Sequence, residues 1–147
     1  MVQTATRVVL AEDNDIVRKG IKKLLKKALD IEVVGEANNG VDALRLVQEM
    51  RPDVLLLDVE MPLLNGIEVA QQLKKEEKRT QILVLSAYDD REYIQEMLSN
   101  GASGYLLKDE APERIIDAVK GIVQGKAGWL SPQVEAKLKR TKTSKIQ

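Results

Sequence analysis

The stretch that decides the fold is Val54-Leu55-Leu56-Leu57-Asp58, four apolar residues followed by an acid. An apolar run without polar alternation is typical of a strand that is buried on both faces of a parallel sheet. Four further short apolar runs recur at intervals of 20 to 30 residues, at 8–11, 32–35, 82–85 and 104–107. We therefore predict a parallel sheet of five strands.

Segments with apolar residues at helical spacing separate these runs. The stripes lie within residues 17–28, 43–50, 67–73, 94–98 and 115–123. Regular alternation of strand and helix implies right-handed crossovers, which place helices on both faces of the sheet. The predicted fold class is α/β, a three-layer αβα arrangement around a doubly wound, five-stranded parallel sheet.

Polar residues follow the predicted strands at the edge where such sheets bind ligands. Glu12 and Asp13 follow strand 1, Asp58 ends strand 3, Ser86 ends strand 4 and Lys108 follows strand 5. Two carboxylates about 4 Å apart repel by about 4 kcal/mol at an effective dielectric of 20. Three converging acids therefore need a proton or a cation, and all-oxygen ligands favour Mg²⁺. The alternative is that each acid only caps the next helix.

Asp58 is also a candidate nucleophile, because a carboxylate can accept a phosphoryl group as an acyl phosphate. Mg²⁺ and Lys108 would assist by neutralising the incoming group. The plainer alternatives are a strand-ending acid and an exposed lysine. Ser86 gains meaning only from these neighbours, and Tyr105 on its own is more often a packing residue.

The composition excludes several classes of chemistry. The 147 residues include no Cys and no His, which excludes disulfides, thiol nucleophiles and Ser-His-Asp catalysis within this chain. The net charge is zero, but residues 126–147 hold six cations and one acid, and residues 1–125 hold 17 cations and 22 acids. The two segments therefore carry +5 and −5. Short apolar runs and a polar start predict a cytoplasmic protein without a membrane segment.

Four ordered motifs resemble a known family. They are residues 8–13 (VVLAED), 55–66 (LLLDVEMPLLNG), 85–87 (LSA) and 101–108 (GASGYLLK). Together they resemble the receiver domain of bacterial two-component response regulators, over about residues 5–125. The resemblance implies a CheY-like, flavodoxin-like sheet of strand order 2-1-3-4-5, and it implies a switching protein rather than an enzyme. Such a protein catalyses only its own phosphorylation and dephosphorylation.

The resemblance also implies a role for each matching residue. Asp58 is the expected phosphoacceptor. Glu12, Asp13, Asp58 and the backbone carbonyl of Glu60 are the expected ligands of Mg²⁺ or Mn²⁺.

The remaining matches concern the phosphoryl group and the switch. Ser86, the backbone amide of Ala87 and Lys108 are expected to contact the phosphoryl group. Ser86 and Tyr105 are the expected switch residues, which would move when the phosphoryl group arrives.

Residues 104–109 and 125–132 resemble the subgroup in which a LuxR-type helix-turn-helix follows the receiver (NarL/FixJ-like). We expect a receiver domain over residues 1–125 and a basic tail or linker over residues 126–147. This tail would hold a short helix over Gln133–Arg140, and the output domain would be absent. A sensor histidine kinase is the expected partner, and phosphorylation is expected to favour a homodimer. DNA binding is expected only through the missing domain, not through this chain.

Three alternatives remain at this point. The chain could be a stand-alone receiver or a phosphorelay protein. It could be a Mg²⁺-dependent phosphohydrolase with an aspartyl-phosphate, although Glu60 stands where such enzymes need a second Asp. No glycine-rich loop follows strand 1, which disfavours a nucleotide-binding module.

The cations of helix 1 form either a solvated face or a kinase-docking surface: Arg18, Lys19, Lys22, Lys23, Lys26 and Lys27.

Overall fold

A computed structural model describes residues 5–77, 79–126 and 128–146, and their side chains up to residue 139. Within these residues, six parallel strands form one sheet of order β2-β1-β3-β4-β5-β6. The strands are β1 (Thr6–Ala11), β2 (Ile31–Ala37), β3 (Val54–Asp58), β4 (Gln81–Ser86), β5 (Gly104–Leu107) and β6 (Trp129–Leu130). The predicted strand order 2-1-3-4-5 is confirmed, and the short β6 is added beside β5.

Helices cover both faces of the sheet. They are α1 (Asp15–Leu25), α2 (Gly40–Met50), α3 (Gly66–Lys75), α4 (Arg91–Ser99), α5 (Ala111–Val123) and α6 (Pro132–Ile146). Side chains of α1 and α5 share one buried cluster, and those of α2, α3 and α4 share the other. This is the predicted three-layer arrangement.

The central strand β3 explains why the sequence lacks polar alternation there. All five residues of β3 are buried. Leu55 and Leu57 point into the cluster under α2, α3 and α4, whereas Val54 and Leu56 point into the cluster under α1 and α5. Because successive side chains of a strand face opposite sides, a sheet covered twice requires apolar residues at every position.

Asparagines cap the helices that follow the first three strands. The Asn14 side chain accepts hydrogen bonds from the backbone N–H groups of Ile16 and Val17, and Asn39 and Asn65 cap α2 and α3. The residue that caps the helix after the first strand is therefore Asn14 and not Glu12 or Asp13. Glu12 and Asp13 remain at the sheet edge.

The tail differs in extent from the sequence-based expectation. The expected helix over Gln133–Arg140 is longer at both ends, as α6, and β6 precedes it. Tertiary packing holds the start of α6, because Val134 in its first turn is fully buried against the core. The side chains of residues 140–147 lie outside the described part of the chain. The division into a receiver and a linker stays a prediction.

No helix in the described ranges has both the length and the apolar character needed to cross a bilayer.

Candidate functional site

The site lies at one edge of the sheet because four parallel strands end there. β1 and β3 are neighbours, with Ala11 aligned to Leu57, so the residues that follow β1 stand beside Asp58. β4 ends at Ser86, and β5 ends one residue before Lys108. The backbone N–H of Lys108 donates to the carbonyl of Ser86 at 2.9 Å, which joins these two strand ends.

Three carboxylates converge at this edge. Glu12, Asp13 and Asp58 each offer a carboxylate oxygen, and these oxygens lie within 4.8 Å of one another. Glu12 is 1% exposed and Asp58 is 5% exposed, whereas Asp13 is open to solvent. A cluster of carboxylate oxygens with one solvent-facing member fits a hard divalent cation that keeps part of its hydration shell. The cluster can therefore bind a metal ion.

Lys108 is the cation nearest these acids. Its Nζ forms an ion pair with Glu12 Oε1 and lies 3.5 Å from Asp58 Oδ2. If all three carboxylates carry a charge, as cation binding would favour, three negative charges face one positive charge. The remaining charge of −2 matches a divalent cation.

The pKa values of this group follow from burial and from its neighbours. Burial, reinforced by the negative charge of Glu12, raises the pKa of Asp58 from 3.8 to about 7. Burial opposes ionisation of Glu12, but its contact with Lys108 and a hydrogen bond from the Asn14 backbone hold its pKa below the usual range. Burial likewise opposes the charge on Lys108, and the Glu12 contact and the charge of Asp58 outweigh it and raise its pKa. As the pH rises, Glu12 therefore ionises before Asp58.

The loop between β3 and α3 holds Asp58 from the other side. The backbone N–H of Glu60 donates to Asp58 Oδ1 at 3.3 Å. A side chain at Gly66 would place its Cβ 2.5 Å from the Asp58 carbonyl oxygen, so glycine allows α3 to begin directly under the acid. The carbonyl oxygen of Glu60 as a metal ligand stays a prediction.

The loop of residues 87–90, which joins β4 to α4, is tied to both expected switch residues. Ser86 is fully buried, and its Oγ accepts a hydrogen bond from the backbone N–H of Tyr88 at 3.0 Å. Tyr105 is also fully buried, and its hydroxyl donates to the carbonyl of Tyr88 at 2.8 Å. Ala87, whose amide is an expected phosphoryl contact, lies between Ser86 and Tyr88 in the chain and is exposed. Ser86 and Tyr105 therefore meet at a single loop residue.

Arg18 and Lys22 make polar contacts near this edge that were not anticipated from the sequence. Arg18 Nη1 donates to the carbonyl of Glu12 at 2.9 Å, which fixes the backbone beside the acids. Arg18 also pairs with Asp15 and Glu36, and Lys22 pairs with Glu36 at 2.8 Å. The Arg18–Asp15 pair has the i,i+3 spacing of a helix, but Glu36 comes from β2, so no local pattern predicts its pairs with Arg18 and Lys22. The basic face of α1 as a kinase-docking surface stays a prediction.

Comparison with known proteins places these features in context. The sequence profile of the response regulator receiver domain matches residues 8–120. The chain is 41% identical over 121 residues to the uncharacterised transcriptional regulatory protein YxjL of Bacillus subtilis, which is 82% of this chain and 56% of the relative. It is 39% identical over 126 residues to the nitrate/nitrite response regulator protein NarL of Escherichia coli, covering 86% of this chain and 57% of the relative.

A solved structure gives the same likeness. The signal receiver domain of a NarL response regulator from Mycobacterium tuberculosis superposes with a TM-score of 0.81 at 36% identity, and the match covers 84% of this chain and 100% of that chain. The chain spans about half the length of the curated relatives it matches.

Proposed function

This chain belongs to the response regulator receiver domain family of two-component systems, and from that premise we propose that Asp58 is its phosphoacceptor. The observation that carries the proposal is the meeting of Glu12, Asp13 and Asp58 with Lys108 at one sheet edge. A buried carboxylate beside a lysine and two further acids has the chemistry that phosphoryl acceptance requires. The donor we propose is the phosphohistidine of a sensor histidine kinase.

The transfer step is a displacement at phosphorus. A carboxylate oxygen of Asp58 attacks the phosphorus in line with the donor, and a new O–P bond forms. The P–N bond to the donor imidazole breaks, and the released imidazole takes up a proton from solvent. With acetyl phosphate as donor, a P–O bond breaks instead and acetate leaves. These 147 residues include no His, so the donor histidine lies outside them.

The proposed roles of the surrounding residues follow from their positions. Lys108 Nζ, 3.5 Å from Asp58 Oδ2, would pair with the phosphoryl oxygens. The Ser86 hydroxyl and the Ala87 backbone N–H, on the neighbouring strand end, would donate to the same oxygens. Tyr105 would act with Ser86 as a switch residue, because both hydrogen-bond Tyr88.

Glu12, Asp13 and Asp58 would hold Mg²⁺, or Mn²⁺ in its place, with the Glu60 backbone carbonyl as a further ligand. When bound, the cation neutralises charge on the phosphoryl group and on the attacking carboxylate. Its oxygen-only surroundings suit a hard cation, and the residual charge of −2 explains why a divalent ion is preferred.

We propose that the whole protein is a cytoplasmic switch for transcription. The chain's own reaction is its phosphorylation and dephosphorylation, and it is not an enzyme acting on other substrates. DNA binding would belong to a separate domain, as the transcriptional regulators among its relatives suggest. A second copy of the chain is the partner proposed for the phosphorylated form.

The test is incubation with Mg²⁺ and acetyl phosphate, followed by intact-mass measurement. We expect one phosphoryl group on the wild type, none on Asp58→Asn and none when EDTA replaces Mg²⁺. The control Asp117→Asn removes an exposed carboxylate on α5 and should be phosphorylated like the wild type. An unmodified wild type, or repeated turnover of phosphomonoesters, would contradict the proposal.

A further inference from the structure

The segment after α5 is built into the sheet beside the site. β6 pairs with β5, with Gly104 aligned to Trp129 and Tyr105 aligned to Leu130. The next residue, Ser131, is fully buried; its Oγ accepts from the backbone N–H of Leu107 at 2.9 Å, and its own N–H donates to the carbonyl of Tyr105 at 3.1 Å. The segment therefore holds the strand that leads directly to Lys108.

The first turns of α6 contact the loop that begins at Ser86. Gln133 Nε2 donates to Asp89 Oδ2 at 2.7 Å, and Lys137 Nζ reaches the same oxygen at 3.5 Å. Between them, Val134 is fully buried in the core cluster that includes residues of α4 and β5. The Gln133 amide, aided by the charge of Lys137, holds the pKa of Asp89 below its usual range, so this carboxylate is ionised at neutral pH.

The loop of residues 87–90 is thus held at its two central residues, Tyr88 and Asp89. Ser86 and Tyr105 bind it at Tyr88 on the side of the site, and Gln133 and Lys137 bind it at Asp89 on the side of α6. Because Tyr88 and Asp89 are consecutive residues joined by one rigid peptide unit, a displacement of Tyr88 toward the site also moves Asp89.

We propose that residues 129–139 form a latch on this loop, and that a phosphoryl group on Asp58 releases α6 by drawing the Ser86 end of the loop toward the site. The inference rests on the proposed function of Asp58. A phosphoryl group brings about two negative charges and three acceptor oxygens to the edge where the Ser86 hydroxyl lies. The Ser86 hydroxyl can donate to such an oxygen while its Oγ still accepts from Tyr88, so a shift of Oγ toward the phosphoryl group draws Tyr88 with it, and Asp89 is the next residue.

Thermodynamic linkage gives the latch a second, reciprocal effect. If phosphorylation weakens the contacts of Asp89, then loss of those contacts must strengthen binding of a phosphoryl group to the same extent. Beryllofluoride, a phosphoryl analogue that binds reversibly in the presence of Mg²⁺, makes this measurable as an affinity. Asp89→Ala should bind beryllofluoride at least about fivefold more tightly than the wild type.

The matched control is Asp90→Ala, which removes the adjacent, exposed carboxylate of the same loop. Asp90 precedes α4 but makes no side-chain capping hydrogen bond to it. We expect beryllofluoride affinity within about twofold of the wild type. Equal affinities for Asp89→Ala and Asp90→Ala would overturn the latch. Gln133→Ala provides a second disruption of the same contact from the side of α6.

Release is tested directly by amide hydrogen exchange over residues 129–139, with the intact mass of each sample recorded in parallel. Phosphorylation should lower protection in α6 by at least about fivefold, and Asp89→Ala should lower it without phosphorylation. Trp129, the single tryptophan of the chain, adds a fluorescence signal at the start of the latch. A phosphorylated sample with unchanged exchange contradicts the latch alone, whereas a sample that takes up no phosphoryl group contradicts the proposed function and with it the trigger.

Discussion

Replacement of Asp58 by Asn should stabilise the metal-free protein at neutral and alkaline pH. Asp58 is 5% exposed and shares its site with the carboxylate of Glu12. In the folded chain, ionisation of Asp58 therefore adds a second negative charge to a place that already holds one. Asn keeps the shape of the side chain and one oxygen that can accept from the Glu60 N–H, but carries no charge, so this cost disappears.

The magnitude follows from the pKa of Asp58, which burial and Glu12 raise from 3.8 to about 7. A proton is bound more tightly by the folded chain than by the unfolded chain, so the wild type loses stability as the pH rises from about 4 to about 7. At about 1.4 kcal/mol per pH unit, the cost reaches roughly 4 kcal/mol. Repulsion between two carboxylates at the 4.8 Å limit of the cluster gives about 3 kcal/mol at a dielectric of 20.

We therefore expect Asp58→Asn to exceed the wild type by about 3 kcal/mol in free energy of unfolding at pH 8, and by close to zero at pH 4. Urea unfolding in EDTA across this pH range measures the difference. The control Asp117→Asn removes an exposed charge and should stay within about 0.5 kcal/mol of the wild type at every pH.

Mg²⁺ should reduce the difference in free energy of unfolding between Asp58→Asn and the wild type. A ligand that binds only the folded state raises the free energy of unfolding by about 2.7 kcal/mol at a hundred times its dissociation constant. The wild type offers the complete cluster and gains this stability, whereas Asp58→Asn lacks one of the carboxylates. An Asp58→Asn protein that is no more stable than the wild type at pH 8, or whose advantage does not change with pH, would refute the electrostatic reasoning.

Three further variants test other parts of the structure. Asp13→Asn should leave metal-free stability within about 0.5 kcal/mol, since Asp13 is exposed, but should weaken Mg²⁺ binding at least about tenfold in a thermal-shift titration. Lys108→Ala leaves two buried carboxylates without their cation and should lower the free energy of unfolding in EDTA by about 3 kcal/mol, with partial recovery in Mg²⁺. Gly121→Ala places a Cβ 2.1 Å from the Trp129 indole, so it should lower the free energy of unfolding by about 2 kcal/mol and shift the fluorescence of Trp129. The control Gly20→Ala, on α1 with open space around it, should be neutral or stabilising by about 0.5 kcal/mol.

The sheet and its functional edge were predictable because both depend on local patterns. A strand that is buried on both faces has apolar residues at every position, as in residues 54–57, so the sequence alone indicates it. The ends of parallel strands meet at one edge of the sheet whatever the details of packing. Placing Glu12 beside Asp58 needed only the adjacency of β1 and β3, which the structure has. The expectation for Tyr105 as a packing residue also holds, since its ring is fully buried while its hydroxyl binds the loop.

The electrostatics of the site were less accessible, because they depend on which partners come together in three dimensions. The sequence predicts that Lys108 lies near the acids, but not that it pairs more closely with Glu12 than with Asp58. That choice lowers the pKa of Glu12 and leaves Asp58 with a raised one. Arg18 is a similar case, since its partner Glu36 is on β2, the next element along the chain, and only the packing of α1 on the sheet brings the two together.

The packing of the tail was the least predictable part of the structure. It depends on a glycine, Gly121, whose missing side chain leaves room for Trp129, and on an ion pair between Lys137 and Asp89. Gly121 lies on the buried face of α5, and only the packed structure explains it: the Trp129 indole fills the space where its Cβ would be. Lys137 contributes to the +5 charge of residues 126–147, yet it lies against Asp89 of the −5 segment. The two opposite charges therefore belong in part to a single contact, and a net charge divided along the sequence cannot reveal that the two segments meet beside the site.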